Sequence, residues 1–152
     1  MEEGARQLVH QLKYQGLSAL GEPMAALMTN SLDFDCDLVV PVPLHRGRMR
    51  SRGYNQSALL GGHFARAVGL SFDAGAARRI RATKPLAKSM HRDERRAIVA
   101  GAFAGRPERV DGRRILLVDD VVTTGATLDA CATALLEAGA AAVDCLTFAR
   151  AD

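Results

Sequence analysis

The sequence predicts an α/β protein, a mostly parallel sheet flanked by helices, and three stretches carry that prediction. Residues 115–118 (Ile-Leu-Leu-Val) and 38–40 (Leu-Val-Val) are short, continuous apolar runs with β-branched members, the pattern of strands buried on both faces. Each run leads through a polar loop into an apolar helical pattern. After the first-occurring run this is Leu59, Leu60, Phe64 and Ala67; after the second it is Leu128, Cys131, Leu135 and Leu136, closed by Gly139. A third run, 142–148, then reads as the last strand, packed beside 115–118. Strands alternating with helices imply parallel pairing.

The chain of 152 residues is long enough for a sizeable core and is expected to form one domain over 1–152, with a helical part over 1–31. A hydrophobic content of 48% and a mean hydropathy near zero are those of a soluble globular protein. The net charge of +3 is too small to argue for nucleic acid by itself. Its distribution says more, because Arg heavily outnumbers Lys and clusters in two segments, and Arg is the residue for fork-like recognition of phosphates and carboxylates. Cys36, Cys131 and Cys145 are odd in number and lack C-x-x-C spacing, which argues against a zinc site and a disulfide framework. Cys131 and Cys145 read as small core residues in a reducing compartment. No run reaches the roughly 18 apolar residues of a membrane span, and the N-terminus lacks a signal-peptide apolar region, so no membrane partner is expected and the cytoplasm is the expected address.

In chain order, residues 3–14 predict a helix with Leu8, Val9 and Leu12 on one face, broken by Gly16. Residues 17–30 predict a second, carrying Leu17, Leu20, Met24, Leu27 and Met28, with a start that Pro23 can shift. Pro41 and Pro43 cannot donate to a central ladder, so the first strand is expected to end near Val40. Residues 44–53 then form a loop with Arg46, Arg48, Arg50 and Arg52 beside Gly47 and Gly53, at the carboxyl edge of the sheet. Such a loop suits a highly charged pyrophosphate; it also suits plain solvation or an ionic contact with protein or nucleic acid. A helix follows to about Val68, with Asn55 or Ser51 as its cap. Residues 77–83 suggest a strand leading into a polar stretch, 84–96, that holds Lys84, Lys88, His91, Arg92, Arg95 and Arg96. Residues 102–103 suggest a short strand and 111–112 a turn.

The chemistry concentrates at 114–128. Asp119 and Asp120 follow the apolar run where a buried strand would end, and charged groups are rarely fully buried, so an exposed strand terminus is expected. Thr123-Thr124-Gly125-Ala126-Thr127 comes next, small and hydroxyl-rich, leading into a helix. Loop N–H groups and the positive helix end stabilise a phosphate, and Thr hydroxyls add donors. A ribose offers adjacent hydroxyls to the two carboxylates while its 5′-phosphate occupies the loop. The stretch suits a ribose 5-phosphate.

It also resembles the phosphoribosyl-pyrophosphate (PRPP) motif of type I phosphoribosyltransferases, an apolar strand, two acids and T-T-G-x-T, unbroken here. The pattern P-V-P-L-x-x-x-R-x-R-x-R-G-Y-N-Q-S near residues 41–57, with His-Gln-Leu-Lys-Tyr-Gln-Gly at 10–16, is similar to the competence protein F-like branch of that family. The resemblance implies the type I fold and displacement of pyrophosphate from PRPP by an unidentified, usually nitrogenous acceptor, with Mg²⁺ bridging substrate oxygens. It gives Asp119 and Asp120 to the ribose hydroxyls and the metal, through water, and Val121 with Thr123, Thr124, Gly125, Ala126 and Thr127 to the phosphate side. Pro43, Leu44, Arg46, Arg48 and Arg52 fall to the pyrophosphate. Residues 84–96, with Lys84 and Lys88, correspond to the flexible loop that closes over PRPP, and Arg81 and Lys84 are expected nearer the ligand than Arg92. The four-cysteine zinc module common in this branch is missing, and Ile98 stands where many relatives carry Asn. A homodimer is compatible with the resemblance. So are two other functions, PRPP sensing without catalysis and an accessory role with DNA-uptake proteins.

Overall fold

The computed structural model describes residues 11, 18–29, 35–83 and 91–151. The expected helix over 3–14 lies outside the described residues except for residue 11, as do Lys84 and Lys88. In chain order the elements are α1 (Gly21–Met28), β1 (Leu38–Pro41), α2 (Arg46–Arg52), α3 (Gln56–Val68), β2 (Ser71–Phe72), β3 (Ala77–Arg79), α4 (Arg92–Val99), β4 (Phe103–Gly105), α5 (Pro107–Val110), β5 (Arg114–Val122), α6 (Ala126–Glu137) and β6 (Ala142–Arg150). One sheet runs β2-β1-β5-β6, parallel at every pairing; β3 and β4 form a separate antiparallel ribbon.

Alternation along the strands sends side chains to two cores. Leu38, Val40, Ile115 and Leu117 pack with Leu128, Cys131 and Leu135 of α6 and with Phe103 of β4. Val39, Leu116 and Val118 pack with Met24 and Met28 of α1 and with Leu60 and Phe64 of α3. The result is a sheet with helices on both faces, the expected class. The approach of α3 is close at Gly61, where a Cβ would stand 3.2 Å from the Phe72 ring and 3.6 Å from Val39 and Val118, so a larger residue would oblige the Phe72 ring to shift.

Several boundaries and faces differ from the sequence reading. The 44–53 segment is not all loop: α2 occupies Arg46–Arg52, capped by His45 Nδ1 accepting from the Gly47 N–H and ended by Gly53 at φ 81°. Pro41 belongs to β1. Val42 N donates to Val118 O on the β5 side, so the intervening Pro41 turns its missing N–H toward β2, which pairs only with Leu38 and Val39. Most consequentially, β5 does not stop at Val118. Its pairing with β6 continues through Asp119↔Thr147, Val121↔Ala149 and Val122↔Arg150, so the acid pair lies within the strand and Asp120 is buried at 6% exposure. Leu27, Ala67 and Leu136 face outward, beyond the width of the apolar stripe their helices bury. Cys145 is exposed rather than a core residue, because it lies on the edge strand β6; Cys131 is fully buried, and that burial pushes its thiol pKa well up.

Candidate functional site

The site begins where the sheet opens. β1 pairs with β5 as far as Pro41↔Val118, so from Asp119 onward β5 keeps a strand neighbour only on the β6 side. The vacated flank is a cavity of about 220 Å³, with Asp119, Asp120, Val121 and Thr127 on one wall. Pro43 and Leu44 of the β1–α2 connection and Arg48 and Arg52 of α2 contribute another wall. Beside it, a smaller hollow of about 30 Å³ is bounded by Asp119 and by residues 121–128, and so by Thr123, Thr124, Gly125 and Ala126.

The backbone of this hollow has features that suit an anion. Gly125 caps α6 at φ 81°, a conformation that favours glycine, and a Cβ there would meet nothing within 4 Å. No side chain caps the first turn of α6, which leaves its N–H groups and the positive helix end for another acceptor. Thr124 Oγ1 is buried with no hydrogen-bond partner, and such an atom is costly unless a ligand satisfies it. From α4, the buried Arg95 reaches Thr123 Oγ1 at 3.1 Å and brings positive charge to the same loop.

The acid pair is oriented by the start of α3. Asn55 caps that helix, its Oδ1 accepting from Ser57 N at 3.1 Å while its Nδ2 donates to Val42 O at 2.9 Å, which ties the helix to the end of β1. Ser57 Oγ then donates to Asp119 Oδ1 at 2.7 Å, and Asp120 N donates to the same oxygen at 2.9 Å. Arg52 donates to Gln56 Oε1 at 3.3 Å on the cavity wall.

Twelve of the sixteen residues singled out from the sequence therefore gather around the two adjoining hollows. Arg46 does not; it lines another cavity beyond Leu44. Neither does Arg81, whose guanidinium donates to the Ile98 and Ala100 carbonyls at the C-terminus of α4, a cation satisfying orphan helix carbonyls. Lys84 and Lys88 lie outside the described residues. Val42, Gln56, Ser57, Arg79, Thr83 and Val99 complete the main cavity and were not singled out. The Asn-Gln-Ser sequence after Gly53 held the signal for Gln56 and Ser57. Arg79 had none, because Arg79 and Arg81 are two apart in a strand-like run and share a face. Its guanidinium donates to Thr83 Oγ1 and stacks 5.2 Å from the Phe103 ring centroid; burial, then neighbouring Arg48, weigh against its charged form and lower its pKa.

Among the described residues no group of three or more His, Cys, Asp or Glu could hold a metal unaided, and no helix is long and apolar enough to cross a membrane.

The phosphoribosyl transferase domain model matches residues 55–152. DNA utilization protein YhgH of Escherichia coli is 36% identical over 145 residues, which cover 90% of this chain and 63% of that protein. Competence protein F of Haemophilus influenzae is 32% identical over 117 residues, 76% of this chain and 51% of that protein. The chain thus spans less than two thirds of the length of these curated relatives. In fold, the chain is similar to the glutamine PRPP amidotransferase from B. subtilis, with a TM-score of 0.57 at 19% identity over 82% of this chain and 25% of that one. APRTase from Giardia lamblia gives a TM-score of 0.56 at 17% identity over 94% of this chain and 84% of that one. The matched family span covers most of the chain, including the acid pair and the 123–127 loop, and it agrees with the parallel sheet: this chain belongs to the phosphoribosyl transferase domain family, as a competence protein F-like member.

Proposed function

We propose that the two adjoining hollows bind PRPP and that the protein transfers its phosphoribosyl group to an acceptor with release of pyrophosphate. The observation that carries this reading is the adjacency of an uncapped helix N-terminus, an oriented carboxylate pair and an arginine wall, in the order a 5′-phosphate, ribose and pyrophosphate require. The 5′-phosphate takes the N–H groups of the first turn of α6 and the Thr124 hydroxyl. Asp119 and Asp120 accept from the ribose hydroxyls, with Ser57 holding one Asp119 oxygen in place. Arg48 and Arg52 stabilise the pyrophosphate as the C1–O bond breaks, its electron pair leaves with pyrophosphate and the acceptor bonds to C1. Positive charge develops on the ribose ring in such a glycosyl displacement, and the adjacent carboxylates favour it.

The acid pair also fits Mg²⁺. It supplies hard oxygen donors too few to cage an ion alone, which suits a cation that retains waters and takes the remaining ligands from substrate oxygens. Bound there, the ion would neutralise pyrophosphate charge.

Titration calorimetry with PRPP and Mg²⁺, followed by a screen of nucleobases for pyrophosphate release, tests the reading; absence of PRPP binding by the folded protein overturns it. Binding without release from any acceptor favours a sensor. The names of the relatives favour a second reading, an accessory of DNA use, which predicts salt-dependent DNA binding with no PRPP affinity.

Two smaller results follow from the geometry. Crystals grown in concentrated sulfate should hold a sulfate on the N–H groups of residues 124–127 with Thr124 Oγ1 as a further partner; an empty loop counts against the phosphate assignment. Ser57→Ala should weaken PRPP binding by about 1 kcal/mol through loss of one hydrogen bond to Asp119, seen by calorimetry as a several-fold rise in Kd.

A further inference from the structure

Beyond Pro43 and Leu44 lies a second, larger cavity of about 700 Å³ that the reading above leaves unused. α2 separates the two. Arg48 and Arg52, four apart, face the first, whereas Arg46 and Met49, three apart, line the second. Arg78 of β3 and Arg106, just before α5, contribute to the second cavity from the opposite side, and Arg79 lines both.

The charge balance here is one-sided. No carboxylate is among the described residues that line this cavity. Asp73, in the turn between β2 and β3, is engaged by Arg109 at 2.8 and 2.9 Å and by the Gly75 N–H at 2.7 Å. Among the described residues, Arg46, Arg78 and Arg106 have no ion pair or side-chain hydrogen bond. Arginines that line one concavity without a carboxylate among its lining residues leave it positively charged, and an oxyanion there would gain charge-assisted, bidentate contacts. Leu44, Met49 and Ile80 add apolar surface between the arginines, which suits an organic body rather than a bare inorganic ion.

We propose that this cavity is a second ligand site, taking a small organic anion that carries a phosphate on an apolar body, bound by Arg46, Arg78 and Arg106. It adjoins the PRPP cavity, sharing Pro43, Leu44 and Arg79 with it, but Arg46, Arg78 and Arg106 line only this one, and the proposal does not depend on the PRPP assignment. Phosphate of the same chemistry also occurs along single-stranded nucleic acid. A free small phosphate is favoured because the site is a pocket, and the described residues lining it include no Phe, Tyr or Trp on which bases could stack.

Phenyl phosphate is a suitable probe, having a ring and a phosphate but no ribose for the acid pair. It should be titrated into the ¹⁵N-labelled protein with and without PRPP and Mg²⁺, following arginine Nε–H signals. Saturable shifts are expected at Arg46, Arg78 and Arg106 in both conditions. Arg78→Ala/Arg106→Ala should weaken the probe about tenfold or more while leaving PRPP affinity at its wild-type value. Should that variant fail to melt cooperatively, Arg78→Ala alone alters an exposed side chain and carries the same test. Shifts confined to residues 123–128, unchanged probe affinity in the variant, or engagement of these arginines by a short oligothymidylate but not by phenyl phosphate would each overturn the proposal. If wild-type protein fails to bind PRPP, the proposed function falls, and this site is still decided by the arginine shifts.

Discussion

Asp119→Asn/Asp120→Asn is expected to weaken PRPP binding by about 3–6 kcal/mol, since hydrogen bonds to a charged group contribute roughly 1.5–3 kcal/mol each and both acceptors lose their charge. That corresponds to a loss of roughly a hundredfold or more in affinity. The fold should survive. Asn is nearly isosteric with Asp, and its carbonyl oxygen can still accept from Ser57 Oγ and from the Asp120 backbone N–H that now meet at Asp119 Oδ1. Calorimetry with PRPP and Mg²⁺ alongside a thermal melt separates the two effects. A double variant that melts like the wild type and binds PRPP equally well removes the acid pair from the site.

Why the acid pair was legible in the sequence and its surroundings were not comes down to range. The motif from 115 to 128 is local: strand, acids, loop and helix are contiguous, so residue order alone carries the arrangement. The same holds for the Asn55 cap, which the structure confirms through Ser57 N. The end of β5 is not local. Whether a strand continues past Val118 is decided by its neighbours, and β6 offers partners to Arg150 while β1 stops at Pro41. Two buried-looking rules, charges at strand ends and proline outside ladders, both failed for this one reason: each strand has two sides, and here only one is occupied.

Long-range contacts also explain which arginines changed places. In the sequence, Arg46 and Arg48 are equivalent members of one basic run. Folding the run into α2 distributes them to two different cavities. Arg79 rather than Arg81 lines the main cavity because β3 pairs with β4, which seats Arg79 over Phe103, whereas Arg81 lies beyond the ribbon and meets the end of α4.

Phe64→Ala should be the most damaging single core substitution for the site's architecture, costing about 3–5 kcal/mol of stability. Phe64 is fully buried and belongs to the core that joins α3 and α1 to Val39, Leu116 and Val118 of the sheet. It lies two turns along α3 from Ser57, on the same helix that carries Gln56 to the cavity wall. Truncation leaves a ring-sized void in a close-packed core. Against a typical stability of roughly 5–15 kcal/mol, that loss is a large fraction. Urea denaturation should show a lower midpoint with an unchanged slope. Since the binding residues themselves are intact, PRPP with Mg²⁺ at a hundredfold excess over Kd should return about 2.7 kcal/mol to the variant and the wild type alike. A variant that keeps its reduced stability but gains nothing from PRPP, while the wild type does, would mean that Phe64 sets the position of Ser57 and Gln56 rather than merely holding α3 to the sheet.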